Sequence, residues 1–108
     1  MESKNLFNEK IYSLLKKVPK GKVTTYKALA EALDTKAYRA VGQAMRHNPY
    51  APEVPCHRVV ASDGTIGGFS GSWNPESKEV KRKIRMLRNE WIKINGYKVM
   101  DFEKVLFL

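Results

Sequence analysis

The sequence predicts a mainly α-helical chain with small β hairpins, arranged as a winged helix-turn-helix. Three observations carry this. Apolar residues recur at helical spacing in four segments. Two of those segments are separated only by the short break at Asp34-Thr35. Near the C-terminus, Asn95-Gly96 stands between two apolar stretches, the pattern of a two-residue hairpin.

Taken in order, Phe7, Ile11, Leu14, Leu15 and Val18 place an amphipathic helix over about residues 5 to 17, ended by Pro19-Lys20-Gly21. Thr24 or Thr25 can cap the next helix, whose apolar stripe is Tyr26, Leu29, Ala30 and Leu33. Thr35 can cap a third helix over about 36 to 46, with Ala37, Ala40, Val41, Ala44 and Met45 facing inward. Asn48-Pro49 stops it, and the prolines at 49, 52 and 55 predict an extended loop. Val59-Val60-Ala61 reads as a short strand and Asp63-Gly64 as a hairpin turn. Residues 67 to 75, rich in Gly, Ser, Asn and Pro, read as loop. Val80, Ile84, Leu87 and Trp91 predict a fourth helix over about 76 to 90. No internal repeat or linker interrupts the pattern, so residues 1–108 read as one domain.

The chain has 108 residues, with 20 Lys and Arg against 11 Asp and Glu, a formal charge of +9. Such an excess favours a polyanionic partner, nucleic acid foremost. No apolar run approaches the roughly 20 residues of a membrane span. MESKNLFNEK has no apolar signal core, so the chain is expected in the cytoplasm or with the nucleoid rather than secreted. A single cysteine excludes a disulfide framework and a cysteine-rich zinc site. It is either a small buried hydrophobe or a reactive thiol.

Its neighbours bear on that choice. Cys56 lies in Val54-Pro55-Cys56-His57-Arg58-Val59-Val60. A thiol becomes a nucleophile on losing its proton, and a nearby His can take that proton. In a regular strand Cys56 and His57 would point to opposite faces. Cooperation therefore needs a turn or helical geometry, which Pro55 favours by breaking any ladder.

Pro55-Cys56-His57-Arg58-Val59 resembles the active-site motif of the O6-alkylguanine-DNA alkyltransferases, also called methylated-DNA–protein-cysteine methyltransferases. Lys20-Gly21-Lys22-Val23-Thr24-Thr25-Tyr26 is similar to that family's entry to its first DNA-binding helix. Residues 39 to 49, RAVGQAMRHNP, resemble its recognition helix and the turn after it, and residues 62 to 71, SDGTIGGFSG, its substrate loop. The resemblance covers about residues 5 to 96.

The resemblance implies a mechanism and roles. Cys56 would attack the alkyl carbon on guanine O6, His57 would take the thiol proton through a water, and Glu90 would orient His57. Asn48 would brace the active-site turn, and Tyr26 would donate to the departing guanine. The Ser70 N–H would bond to O6, Phe69 would supply an aromatic wall, and the carbonyls of Cys56 and Val59 would accept the guanine amino group. Arg39 would fill the space left by a flipped base. Thr24, Thr25, Ala37, Ala40, Gly42 and Gln43 would lie against DNA. The implied partner is double-stranded DNA containing O6-alkylguanine, bound through its minor groove by a monomer, with no metal and no cofactor.

The sequence departs from the family in three places. Members usually carry a further N-terminal domain, whereas this sequence is expected to start almost at the DNA-binding domain. Phe69 stands where many have Tyr. Ser72-Trp73-Asn74-Pro75 and the basic stretch after it contain extra residues. Two other readings compete. The alkyltransferase-like proteins recognise alkylated guanine without transferring the group, and carry another residue in place of Cys56. A winged-helix transcription regulator would account for the charge but not for Cys56-His57.

Overall fold

The structure, a computed structural model, describes residues 6–107. In order it contains α1 (Leu6–Leu15), β1 (Thr24–Thr25), α2 (Tyr26–Ala32), α3 (Tyr38–Arg46), a 3₁₀ turn (Cys56–Arg58), β2 (Val59–Val60), α4 (Lys78–Asn89), β3 (Ile94–Asn95), β4 (Lys98–Val99) and α5 (Phe102–Val105). This is the mainly helical class with small sheets that the periodicity predicts. The expected start of the first helix near residue 5 lies outside the described residues.

Two apolar cores meet at a parallel pair of short strands. One core gathers Ile11, Leu15, Leu29, Val41, Ala44 and Val59 from α1–α3 and β2. The other gathers Val23, Val60, Ile66, Val80, Leu87 and Val99 from α4 and the terminal hairpin. Thr24 pairs with Val59 and Thr25 with Val60. Successive strand residues face opposite ways, so Val59 enters the first core and Val60 the second. The 3₁₀ turn that carries Cys56 runs directly into this shared wall, which fixes it from both sides.

The α2–α3 pair forms where the sequence places it. Thr25 Oγ1 accepts the Ala28 N–H at 2.9 Å and caps α2. The chain then leaves α2 through a Schellman motif. Asp34 is left-handed at φ 56°, its N–H reaches Glu31 O, and the Thr35 N–H reaches Ala30 O. Thr35 Oγ1 accepts from the Ala37 N–H, and α3 begins only at Tyr38. Ala37 is therefore exposed at the boundary rather than facing inward, whereas Val41 and Ala44 are fully buried.

Four other expectations need correction. The segment 49–55 is not extended but folded, with the Val54 N–H on Tyr50 O at 3.0 Å. The terminal hairpin pairs Ile94 with Val99 and Asn95 with Lys98, so its turn residues are Gly96 and Tyr97. Gly96, at φ 63°, takes the first central position, where a type II′ turn needs glycine. Trp91 is not on the inward stripe of α4 but 76% exposed. The helix closes at Asn89 in a second Schellman motif, with Trp91 left-handed at φ 69° and the Ile92 N–H on Leu87 O. Lys83, which reads as part of a solvated basic face, is fully buried. The short α5 has no sequence signal. It returns the chain beside Val23, which donates to Val105 O and accepts from the Phe107 N–H.

Candidate active site

A cleft of about 500 Å³ opens between α3 and the loop that follows β2. Arg39, Gly42, Gln43 and Arg46 line it from α3, and Phe69, Ser70 and Trp73 from the loop, with Cys56 and Tyr26 also on its wall. Three arginines surround it. Arg82 lies over the Phe69 ring at 5.3 Å and reaches Ser70 Oγ, Arg46 lies against Gly71, and Arg39 is exposed.

Cys56 is the only cysteine in the chain and is partly exposed. Its 3₁₀ turn is bracketed on both sides. Upstream, Asn48 Nδ2 donates to Val54 O at 2.8 Å while its Oδ1 accepts the Tyr50 N–H at 2.9 Å. Downstream, the Val59 N–H returns to Cys56 O. Asn48 thus staples the folded segment that delivers Cys56.

Behind the turn sits a buried charge cluster that joins residues about 33 apart in sequence. His57 Nε2 lies 2.9 Å from Glu90 Oε2. Arg58 grips the same carboxylate with both ends of its fork, Nε to Oε1 at 2.8 Å and Nη2 to Oε2 at 2.7 Å. Its Nη1 donates to Val18 O, tying the cluster to the turn after α1. Burial raises the Glu90 pKa, but bonds from Arg58 and His57 outweigh it and hold the carboxyl below its ordinary 4.5. A charged Glu90 accepts, so His57 Nε2 carries the ring proton and Nδ1 is left as the basic nitrogen. Burial, with Arg58 and Lys83 adding to it, holds His57 below 6.5 despite Glu90. His57 is therefore neutral at pH 7 and able to accept a proton.

These shifts predict a pH dependence. Both groups bind fewer protons folded than unfolded, so acid favours unfolding. Stability should fall as pH drops below 6.5, for His57, and again as it drops below 4.5, for Glu90. Thermal melts across that window check this, and Glu90→Gln should flatten the lower part. A wild-type melting temperature that is constant over the window would contradict the assignment.

Tyr26 stands at the start of α2 with its hydroxyl 3.5 Å from Gly68 O. Burial, then Cys56 and Tyr97, raise its pKa well above the ordinary 10, so the phenol keeps its proton and remains a donor. Ser70 and Gly71 form the tip of a tight turn, at φ 51° and 84°. Phe69 and Ser72 exchange backbone bonds across it, which leaves the Ser70 N–H outside those two bonds.

Lys83 is the residue that sequence reasoning missed most completely. Its Nζ donates to Val59 O and Ile66 O at 2.6 Å each and to Gly68 O at 3.0 Å. It ties the end of the cysteine turn to the loop across the cleft. Burial pushes the ammonium down to about 7, with Cys56 acting against it. Three carbonyls match the three N–H donors of the charged form, where a neutral amine has two. The available signal was its position between Val80 and Leu87, on the apolar stripe of α4.

The other expected site residues differ in exposure. Thr24 is fully buried in β1, and Thr25 is buried with its hydroxyl oxygen accepting the Ala28 N–H. Val59 is fully buried, and its carbonyl accepts from Lys83. His57 and Glu90 are buried behind the cleft. Ala37 is exposed and Ala40 half-buried on α3. Among the described residues no helix is long and apolar enough to cross a membrane. None of their His, Cys, Asp and Glu side chains form a group of three able to hold a metal ion.

Residues 6–92 match the family described as 6-O-methylguanine DNA methyltransferase, DNA binding domain. A bifunctional methyltransferase/endonuclease of Picrophilus torridus is 42% identical over 108 residues, 99% of this chain and 33% of that protein. A methylated-DNA–protein-cysteine methyltransferase of Metallosphaera sedula is 43% identical over 94 residues, 87% of this chain and 56% of that protein. The chain thus spans between a third and somewhat over half of these relatives' lengths. Among solved structures, S. pombe Atl1 in complex with damaged DNA containing O6-carboxymethylguanine superposes with a TM-score of 0.80 at 29% identity, covering 99% of both chains.

Proposed function

This chain belongs to the family of the 6-O-methylguanine DNA methyltransferase DNA-binding domain, and from that premise we propose that it repairs alkylated DNA directly, moving the alkyl group from guanine O6 onto Cys56 once per molecule. The observation that carries this is the placement of Cys56. It is the one cysteine, it lines the cleft, and it shares a 3₁₀ turn with a His57 that is neutral and oriented by Glu90.

The target base leaves the duplex to enter the cleft, and Arg39 on the exposed face of α3 takes the vacated place. The minor groove receives α3, whose Ala40 and Gly42, with Ala37 just before the helix, allow close approach. His57 Nδ1 accepts the thiol proton through a water. The sulfur then attacks the alkyl carbon, the S–C bond forms, the C–O6 bond breaks, and its electron pair passes to guanine. Tyr26 donates a proton to the departing base and the Ser70 N–H bonds to O6 as charge develops there. Tyr26 is reprotonated and His57 deprotonated by solvent. Overall, guanine ends with a proton and Cys56 with the alkyl group. The thioether has no leaving path, so each molecule acts once.

A second reading, lesion recognition without transfer, is favoured by the end-to-end likeness to S. pombe Atl1 bound to damaged DNA. The two readings part at the product. A duplex with one O6-methylguanine, incubated with the protein and then digested to nucleosides, should lose one lesion per protein molecule and regain guanine. Cys56→Ser should bind the duplex and leave the lesion intact. Tight binding by wild type with no loss of O6-methylguanine would overturn the transfer reading in favour of recognition.

A further inference from the structure

We propose that Trp73 determines substrate preference: with Tyr26 it forms an aromatic wall that biases the cleft toward guanines carrying an arylmethyl rather than a methyl group on O6. The ligand's identity rests on the transfer reading above, whereas the wall rests on geometry.

Trp73 is 61% exposed, yet it is seated. A Cβ added at Gly68 would lie 2.6 and 2.7 Å from two indole carbons, so the ring rests directly on the Gly68 backbone and only glycine leaves it room. That backbone is itself held, since Gly68 O accepts from the buried Lys83. On the cleft side the indole stands 5.9 Å from the Tyr26 ring, with the planes tilted by 38°. An exposed aromatic seated on a held backbone, edging a cleft that contains the thiol, is a platform for a planar ligand. The indole does not fill the cleft. About 500 Å³ remains with it in place, within the roughly 300–1,000 Å³ that binds drug-sized molecules. A purine with a one-carbon substituent leaves part of that space to water. An arylmethyl group would instead cover the indole face. Trp73 lies in the Ser72–Pro75 segment that departs from the family pattern, so the resemblance assigns it no role.

The test compares rates of Cys56 alkylation by duplexes containing O6-benzylguanine and O6-methylguanine. Trp73→Ala should lower the benzyl-to-methyl rate ratio by about tenfold, within the range lost when a stacking aromatic is removed. Trp73→Phe should retain most of the ratio. Gly68→Ala, which displaces the indole without deleting it, should lower the ratio in the same direction. A ratio that is unchanged or rises in Trp73→Ala, with both groups still transferred, overturns the inference and leaves the transfer reading standing. If wild type accepts neither group the transfer reading falls, and binding decides on the wall. Trp73 and Trp91 are the two tryptophans, so Cys56→Ser, Trp91→Phe protein reports on Trp73 alone. Free O6-benzylguanine should quench its emission saturably, and emission without a saturable change overturns the wall.

Discussion

Replacing His57 with alanine is expected to slow alkyl transfer by about 10²–10⁴-fold, the usual contribution of a positioned general base, with DNA affinity close to wild type. The reason is local. His57 lies beneath the cleft surface, held through Nε2 by Glu90, so its loss removes a proton acceptor and not a DNA contact. Because His57 is buried, alanine also leaves a cavity. His57→Gln separates the two effects, since its amide fills much of the space and can still donate to Glu90 but cannot take a proton. It should lose transfer as fully as alanine does. Equal losses in transfer and in DNA affinity for both variants would show that His57 acts through the fold.

Arg58→Met should produce a large loss of stability. Arg58 satisfies both oxygens of the buried Glu90 and the carbonyl of Val18 at once. Methionine fills similar volume but leaves the carboxylate with His57 as its one remaining partner in this cluster. Removing one partner of a buried pair costs about 3–5 kcal/mol. For a domain of this size that is a fall in melting temperature of roughly 12–40 °C. Thermal unfolding followed by circular dichroism at neutral pH measures it. A fall of only a few degrees would mean that solvent screens the cluster and that Arg58 does not anchor the turn.

The helices were legible because their apolar faces repeat. Val41 and Ala44, or Val80 and Leu87, are buried where helical spacing puts them. A threonine cap was readable because a β-hydroxyl before an apolar stripe has few other local uses, and of the two candidates, Thr24 and Thr25, the structure uses Thr25. What escaped the pattern shares a cause, namely tertiary partners that override a residue's usual preference. Lys83 reads as solvated because lysine almost never enters a core, yet three converging carbonyls from two distant segments hold it there. Trp91 continues the α4 stripe in sequence, but the Schellman turn places it left-handed and outward. Thr24 looks available beside the helix that the family resemblance assigns to DNA binding, but its strand pairing with Val59 seals it inside. At the site, Cys56-His57 was visible as a motif, and the 3₁₀ turn supplies the non-strand geometry it needs. Glu90 is different. No spacing rule joins positions 57 and 90, and only the family resemblance pointed to the pair that the structure brings within 2.9 Å.

The most direct test of the central claim is the intact mass of the protein after exposure to excess duplex containing O6-methylguanine. Each molecule should gain one methyl group, carried on the peptide containing Cys56, after which the remaining lesions persist however long the incubation runs. An unchanged mass, a methyl group on any other residue, or continued loss of lesions beyond one per protein would contradict it.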